Sequence, residues 1–308
     1  MFFTNTRGYP KFIADVLIQL YSDYSKGDSD FSVTEIIGSP LERVLKERHL
    51  SELEIDVDRL FFMFFGTMAH AVAEKAKMDY IIKQEHRMFV KHDGVMISGQ
   101  LDILYKHGNK IRLDDIKFTG KNCVNEPVKK AYVRQANLYR WMYNKENNVL
   151  ADELGILAYF RNSTMYEQKA ARLPIKCFTL EQCEEFLSKQ IALHKLVDWD
   201  VTSKVPECSE TDRWASPESW CIKKNKNKTT RALPKTIVDS EAKALNLLDQ
   251  KLAQYPDAII EHRPARNVKC EDACDVSKFC WWKQDLDAGY ITDSYSGDIP
   301  VRTKIGGK

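Results

Sequence analysis

Apolar and polar positions along the chain change period several times, and the changes divide it into elements. In DFSVTEIIGSPLERVLKERH, residues 30–49, Ser32 stands three residues before Glu35 ahead of an apolar run, which is capping-box spacing at a helix start. RLFFMFFGTMAHAVAEKAKM, residues 59–78, carries Phe62, Phe65, Ala69, Val72 and Ala73 at helical spacing and predicts a buried helix. Three strand-like runs follow at 85–92, 95–106 and 110–119, with Gly94 and the pair Gly108-Asn109 at the turns, so a meander of hairpins is expected. A helical period returns at 126–145 through Val133, Leu138 and Met142, and a fourth strand is expected at 154–162. Thr179, with Gln182 in capping-box position, opens another helix over 179–199.

From about residue 200 the chain becomes polar, aromatic and turn-rich around Trp214 and Trp220, with one further helix expected near 238–254 and a cysteine-bearing tail. This order predicts an α+β (α/β) fold, with one mixed central sheet flanked by helices, rather than a doubly wound nucleotide fold. Residues 1–200 are the expected core and 201–308 a basic, aromatic and cysteine-containing extension packed back on it. There is no internal repeat and no long low-complexity stretch.

Composition narrows the functional classes. The chain has 308 residues, enough for a sizeable core, and 44% hydrophobic content is ordinary for a globular protein. A net charge of +2 is too small for a globally basic nucleic-acid binder, so any basic surface is local. One such stretch exists: Lys223, Lys224, Lys226, Lys228, Arg231 and Lys235 lie between Glu218 and Asp239 with no acid among them. No apolar run is long enough to cross a bilayer, and MFFTNTRGYPKF lacks the apolar core of a secretory signal, so a cytoplasmic location is expected. Eight cysteines in such a chain are expected to be reduced, buried or metal-bound.

The charges of IRLDDIKFTG, residues 111–120, contradict a plain buried strand, because a buried charge needs a partner or a metal. Strand alternation puts Asp115 and Lys117 on one face, with Ile116 pointing the other way and Asp114 expected at the surface. Asp102, on the preceding strand, falls within reach of Asp115 across the hairpin. Two carboxylates and a lysine at one spot suit Mg²⁺ or Mn²⁺ and the chemistry of a phosphate centre.

Asp102, an interval of 12 residues and then Asp115-x-Lys117 resembles the motif of the PD-(D/E)XK nucleases, with Leu101 where that motif often has proline. GTMAHAVAE, residues 66–74, resembles the helix of RecB-type nucleases that carries a metal-binding histidine, here His70. QANLYRWMY, residues 135–143, resembles the same branch's Gln-x-x-x-Tyr helix, with Gln135 and Tyr139 one turn apart. The resemblance spans residues 66–143 and implies a restriction-endonuclease-like core and a metal-dependent DNA exonuclease, of a kind found in CRISPR-associated and phage enzymes. It implies that His70, Asp102, Asp115 and the carbonyl of Ile116 hold the metal. Lys117 would orient or activate the attacking water, with Gln135 and Tyr139 placing the scissile strand. Glu74, one turn after His70, either orients it or is a solvated charge, and His86 and His92 are read as structural.

Cys270, Cys274 and Cys280 form a C-x3-C-x5-C spacing, a plausible nest for zinc or a cluster, or three buried thiols. In RecB-type exonucleases a C-terminal trio joins one distant cysteine around a [4Fe-4S] cluster. Here Ser39 occupies the place expected for that fourth ligand, which leaves Cys208, Cys221 and His49 as candidates. Lys223, Lys224, Lys226, Lys228 and Arg231 are candidate phosphate contacts beside Trp214 and Trp220, or a solvated loop. The implied partner is DNA bound without sequence preference, with a recombination or replication protein as a further partner and the oligomeric state open. An endonuclease of the same fold, a non-catalytic DNA-binding subunit and a redox cluster protein are the rival readings.

Overall fold

The computed structural model describes residues 1–196, 205–224, 232–292 and 302–304. It divides into two compact units, one of residues 1–206 with 293–301 and the other of 207–292 with 302–308.

The first unit begins with β1 (Phe2–Thr4), α1 (Lys11–Ser22), β2 (Phe31–Ser32), α2 (Val33–Ile37), α3 (Pro40–Arg48) and β3 (Glu54–Asp56). Ser32 and Glu35 form the capping box expected of them, and the helical run breaks at Gly38 before Pro40 restarts it. Next come α4 (Val57–Glu74) and the meander β4 (Ile81–His92), β5 (Val95–His107) and β6 (Lys110–Thr119), turned at Gly94 (φ 79°) and Gly108 (φ 59°). After α5 (Lys130–Asn147) come β7 (Glu153–Phe160), β8 (Ala170–Ile175) and α6 (Leu180–Lys195).

The central sheet is mixed. β4 and β6 flank β5 antiparallel, β7 runs parallel to β6, β8 closes the far edge antiparallel, and β2 lies parallel against Ile97 and Ser98. A parallel neighbour needs a crossover, and α5 supplies it between β6 and β7. Nine consecutive residues of α5, Gln135–Tyr143, are buried, because the sheet covers one side while α2 and α6 cover others. Its polar side chains are satisfied there: Arg140 donates to the carbonyls of Ala151 and Phe178, and the Asn137 carbonyl accepts from Phe178 N. Leu104 and Leu113, paired across β5 and β6, are fully buried, and each such leucine contributes about 1.5–3 kcal/mol.

Two expectations differ from the structure. α4 is not a buried helix: Val57 and Leu60 are buried, while Phe62 and Val72 are 61% and 72% exposed. Asp114 is not a surface residue; it is fully buried, holds Arg172 through two hydrogen bonds (2.8 and 2.9 Å) and accepts from the Tyr105 hydroxyl at 2.7 Å. The same alternation that sends Asp115 to one face sends Asp114 to a covered face, where a guanidinium neutralises it.

The second unit contains β9 (Ala215–Ser216), β10 (Ser219–Lys224), α7 (Glu241–Leu252), β11 (Ala258–Arg263), β12 (Arg266–Asn267), α8 (Val268–Asp272) and α9 (Trp281–Asp287). β10 and β11 form an antiparallel ladder, and Ile222, Leu233 and Ala258 make a small core with α7. The helix expected near 238–254 is α7.

Candidate active site

A cleft of about 490 Å³ in the first unit gathers His70 from α4, Glu85 from β4, Asp102 from β5, Asp115 and Lys117 from β6, and Gln135 and Tyr139 from α5. The ladder between β5 and β6 pairs Ile103 with Asp114, so Asp102 and Asp115 stand side by side one step further on. Asp102 Oδ2 accepts from the backbone N–H of Ile116 at 2.5 Å, which fixes its carboxylate against β6. Lys117 Nζ lies 2.7 Å from Asp115 Oδ2. His70 Nδ1 lies 2.8 Å from Glu85 Oε1 and 3.7 Å from Asp102 Oδ1, and Gln100 Nε2 donates to Glu85 Oε2 at 2.7 Å. Gln135 Nε2 donates to the Tyr139 hydroxyl at 2.8 Å. Gly99 permits this: a Cβ there would come within 2.9 Å of Tyr139 Cε1 and Met142 Sδ.

Burial dominates the electrostatics. It drives the Asp102 carboxyl up to about 7, helped by the charge of Asp115, and it raises Asp115 as well. The hydrogen bond to Glu85 holds the His70 imidazole above its usual value, against the effect of burial. Burial pulls Lys117 down, but Asp115 and Asp102 more than offset it and the ammonium is held above its ordinary value. Burial also raises the Tyr139 phenol. Several like charges thus converge on a desolvated spot, an arrangement that costs stability in itself and marks a functional site.

The profile of the PD-(D/E)XK nuclease superfamily matches residues 16–281. The chain belongs to the PD-(D/E)XK nuclease superfamily. Among solved structures it is similar to the protein SSO0001, at 14% identity and a TM-score of 0.42, over 59% of this chain and 84% of that one. It is also similar to a protein of Eubacterium rectale described as an exonuclease, at 12% identity and a TM-score of 0.29, over 40% of this chain and 48% of that one. Likeness at that level carries no functional weight. No curated protein matches the chain.

Nucleases of this superfamily use divalent metals, and the donor set of the cleft fits one. His70, Glu85 and Asp102 each offer a ligand atom, all within 4.8 Å of one another. Asp115 is 1% exposed, yet among the described residues neither of its oxygens accepts a well-aligned hydrogen bond; Lys117 rests beside it as an ion pair. A buried carboxylate left with open lone pairs next to a second carboxylate and an imidazole suits a hard cation.

Glu85 is the residue that motif spacing misses. It falls within β4 between the pairs Gln84–Ile103 and His86–Leu101, opposite Asp102 by count, and takes a φ of 42°. A non-glycine residue at positive φ is held there by its surroundings, and such residues cluster at functional sites. That φ is the signal that marks it, and no local sequence pattern encodes it. Glu74 is exposed and plays no part in the cleft. His86 reaches Glu146 at 3.3 Å and His92 reaches Ser188 at 3.0 Å, both outside the cleft.

The C-terminal thiols lie in the second unit. Buried Arg213 ties their segments together: it donates to the Cys208 carbonyl and to Asn267 Oδ1 (3.1 Å), accepts from Lys269 N at 3.0 Å through its carbonyl, and stacks 4.2 Å from the Trp282 ring. Burial raises the thiols of Cys270 and Cys280. Among the described residues Cys270, Cys274 and Cys280 do not close to the reach of a single ion. Cys221 Sγ faces Glu261 across the β10–β11 ladder at 3.8 Å, and His49, in the first unit, pairs with Glu52 at 2.8 Å. Lys223 is neutralised by Glu261, and Lys224 lies 4.6 Å from the Tyr255 ring. Lys226, Lys228 and Arg231 lie outside the described residues. Trp214 is half exposed, and Trp220 stacks on His262 with ring centres 4.9 Å apart.

Proposed function

We propose that this chain is a divalent-metal-dependent DNA exonuclease of the RecB-like branch, of a phage-encoded kind that serves recombination, replication or DNA processing. The observation carrying the reading is the meeting of His70, Glu85, Asp102, Asp115 and Lys117 in one cleft lined by Gln135 and Tyr139. His70, Asp102, Asp115 and the Ile116 carbonyl would hold Mg²⁺ or Mn²⁺, with Glu85 as a further ligand or as the partner that orients His70. An ion there supplies Lewis acidity to the scissile phosphate and the attacking water.

The chain's own groups do the rest. Lys117, anchored at Asp115, orients the attacking water and stabilises the charge that builds on the phosphate. The Gln135–Tyr139 pair presents an amide and a phenol on one helical face, where they position the scissile strand. Burial of Asp102, Asp115, Gln135 and Tyr139 lowers the local dielectric and strengthens the contacts they make. The basic stretch 223–231 would follow the phosphate backbone in a salt-sensitive, sequence-independent way, with Lys223 the weakest contributor because Glu261 already neutralises it. Cys270, Cys274 and Cys280, with Cys208 held nearby through Arg213, would hold a [4Fe-4S] cluster rather than a single zinc ion, which iron, sulfide and zinc analysis of the purified protein tests.

The test compares wild type with Asp115→Ala and Lys117→Ala on end-labelled linear DNA with Mg²⁺ or Mn²⁺. Cleavage by wild type alone is expected, and variants that cut as well as wild type would remove the assignment. Closed circular DNA should resist; its cleavage would make the enzyme an endonuclease.

A further inference from the structure

We propose that Tyr132 is a positioning residue for the cleavage reaction: its ring seats the Lys117 ammonium, so that the lysine keeps its place when Asp115 serves as a metal ligand. The inference rests on the nuclease reading above and adds a residue to it. Lys117 Nζ lies 5.3 Å from the centre of the Tyr132 ring and 2.7 Å from Asp115 Oδ2, so the ammonium has two seats, a π face and a carboxylate. Tyr132 stands three residues before Gln135 and seven before Tyr139 on α5, a spacing that puts all three on one side of the helix. The stripe that lines the cleft through Gln135 and Tyr139 therefore continues one turn further and meets the lysine. Tyr132 does not itself line the cleft, so it acts through Lys117.

The chemistry of the two contacts differs in a way that makes the ring useful. Neither Asp115 oxygen accepts a well-aligned hydrogen bond, and the lone pairs that attract Lys117 are the ones a divalent ion would use. As a ligand Asp115 shares its charge, and its hold on the ammonium weakens. A ring face attracts an ammonium through its quadrupole, adds no formal negative charge where a phosphate must approach, and claims none of the three N–H donors in a fixed direction. A second carboxylate in that place would repel the phosphate and tie up a donor. Tyr132 packs against the hydrophobic core, which fixes the ring, and the Lys117 side chain is only 22% exposed, so the contact is largely desolvated, where such pairs are strongest. Lys129 Nζ lies 5.7 Å from the same ring, but Lys129 is exposed and stands outside the cleft lining, which makes it the control.

The test has two readouts. One is the cleavage rate of end-labelled linear DNA with Mn²⁺ over a range of DNA concentrations. The other is the Lys117 side-chain NMR signal, in chelator, of protein labelled at the lysine Cε, assigned by its loss in Lys117→Arg. Tyr132→Leu keeps apolar bulk without a ring and should cut about 3–30-fold more slowly at saturating DNA, with the half-saturating concentration unchanged. Tyr132→Phe keeps the ring and should cut as wild type does, as should Lys129→Gln. The Lys117 signal should move downfield in Tyr132→Leu, where the ring current is lost, and hold its position in Tyr132→Phe. Thermal melts check that each variant is folded, and Tyr132→Met carries the same expectations if the leucine variant is not. A leucine variant as fast as wild type, or a phenylalanine variant as slow as the leucine one, would overturn the proposal. So would a loss confined to the half-saturating concentration, or a Lys117 signal that does not move. A wild type that cuts nothing under any metal, while the Lys117 signal moves as expected, would remove the nuclease reading and leave Lys117 seated on Tyr132. An active wild type matched by Tyr132→Leu would remove this inference alone.

Discussion

Glu85 Oε1 sits 2.8 Å from His70 Nδ1, and Glu85 takes a backbone φ of 42° to do so. The pair joins a helix to the outer strand of a sheet and fixes which imidazole nitrogen faces the carboxylates. Glu85→Gln retains a hydrogen-bonding group but loses the charge. If Glu85 orients or ligates, metal affinity should fall about 10–100-fold while the fold persists, as read by titration calorimetry with Mn²⁺. Unchanged affinity would exclude Glu85 from the site.

The Asp102 carboxyl is pushed up to about 7 by burial and by Asp115, so in the absence of metal its charge opposes folding. Asp102→Asn keeps an oxygen to accept from Ile116 N and removes that charge. In chelator the variant should melt at or above the wild-type temperature. Mn²⁺ at a hundredfold excess over its dissociation constant should stabilise wild type by about 2.7 kcal/mol and leave the variant unmoved. A variant that melts well below wild type in chelator would show that the charge supports the fold.

The strands of the meander, their turns and both capping boxes are legible in the sequence because each depends on residues a few positions apart. So is the set Asp102, Asp115 and Lys117, because alternation and a short hairpin place those side chains on one face. Glu85 is not, since its place depends on a positive φ within β4 that no local sequence pattern encodes. β8 is not either: six residues with Pro174 inside look unlike a strand, and proline is tolerated there only because β8 is an edge. Asp114 reads as a surface charge because its partner Arg172 lies 58 residues away, on that same inconspicuous strand. The apolar spacing of α4 reads as burial because periodicity shows which face is apolar and never what covers it.

Gly155, on β7, lies against the Asp114–Arg172 pair, where an added Cβ would come within 2.6 Å of Asp114 Oδ1 and 2.9 Å of Arg172 Cζ. Gly155→Ala should therefore destabilise by about 1–3 kcal/mol in urea unfolding. Arg172→Met, which strips a buried carboxylate of its cation, should cost about 3–5 kcal/mol. Asp114→Asn combined with Arg172→Met should recover much of that loss, since the unpaired charge is then gone. A double variant no more stable than Arg172→Met alone would show that packing at Arg172, rather than its charge, is what matters.

His194, near the end of α6, is buried against Phe31, and its Nδ1 accepts from Arg43 Nε at 3.0 Å, which requires the neutral ring. Burial, with the Arg43 charge beside it, lowers the imidazole to about 4. The unfolded chain takes up this proton near pH 6.5 and the folded chain only near pH 4, so protons favour unfolding between those values. Stability is complete above about pH 6.5 and should fall by about 3 kcal/mol as pH drops to about 4, at roughly 1.4 kcal/mol per unit of displacement. Urea unfolding across that range measures it, with His194→Gln as the reference. The glutamine variant can still accept from Arg43 but does not titrate, so its curve should lie flatter than wild type over this window. Two curves of equal slope would assign the acid sensitivity to other groups.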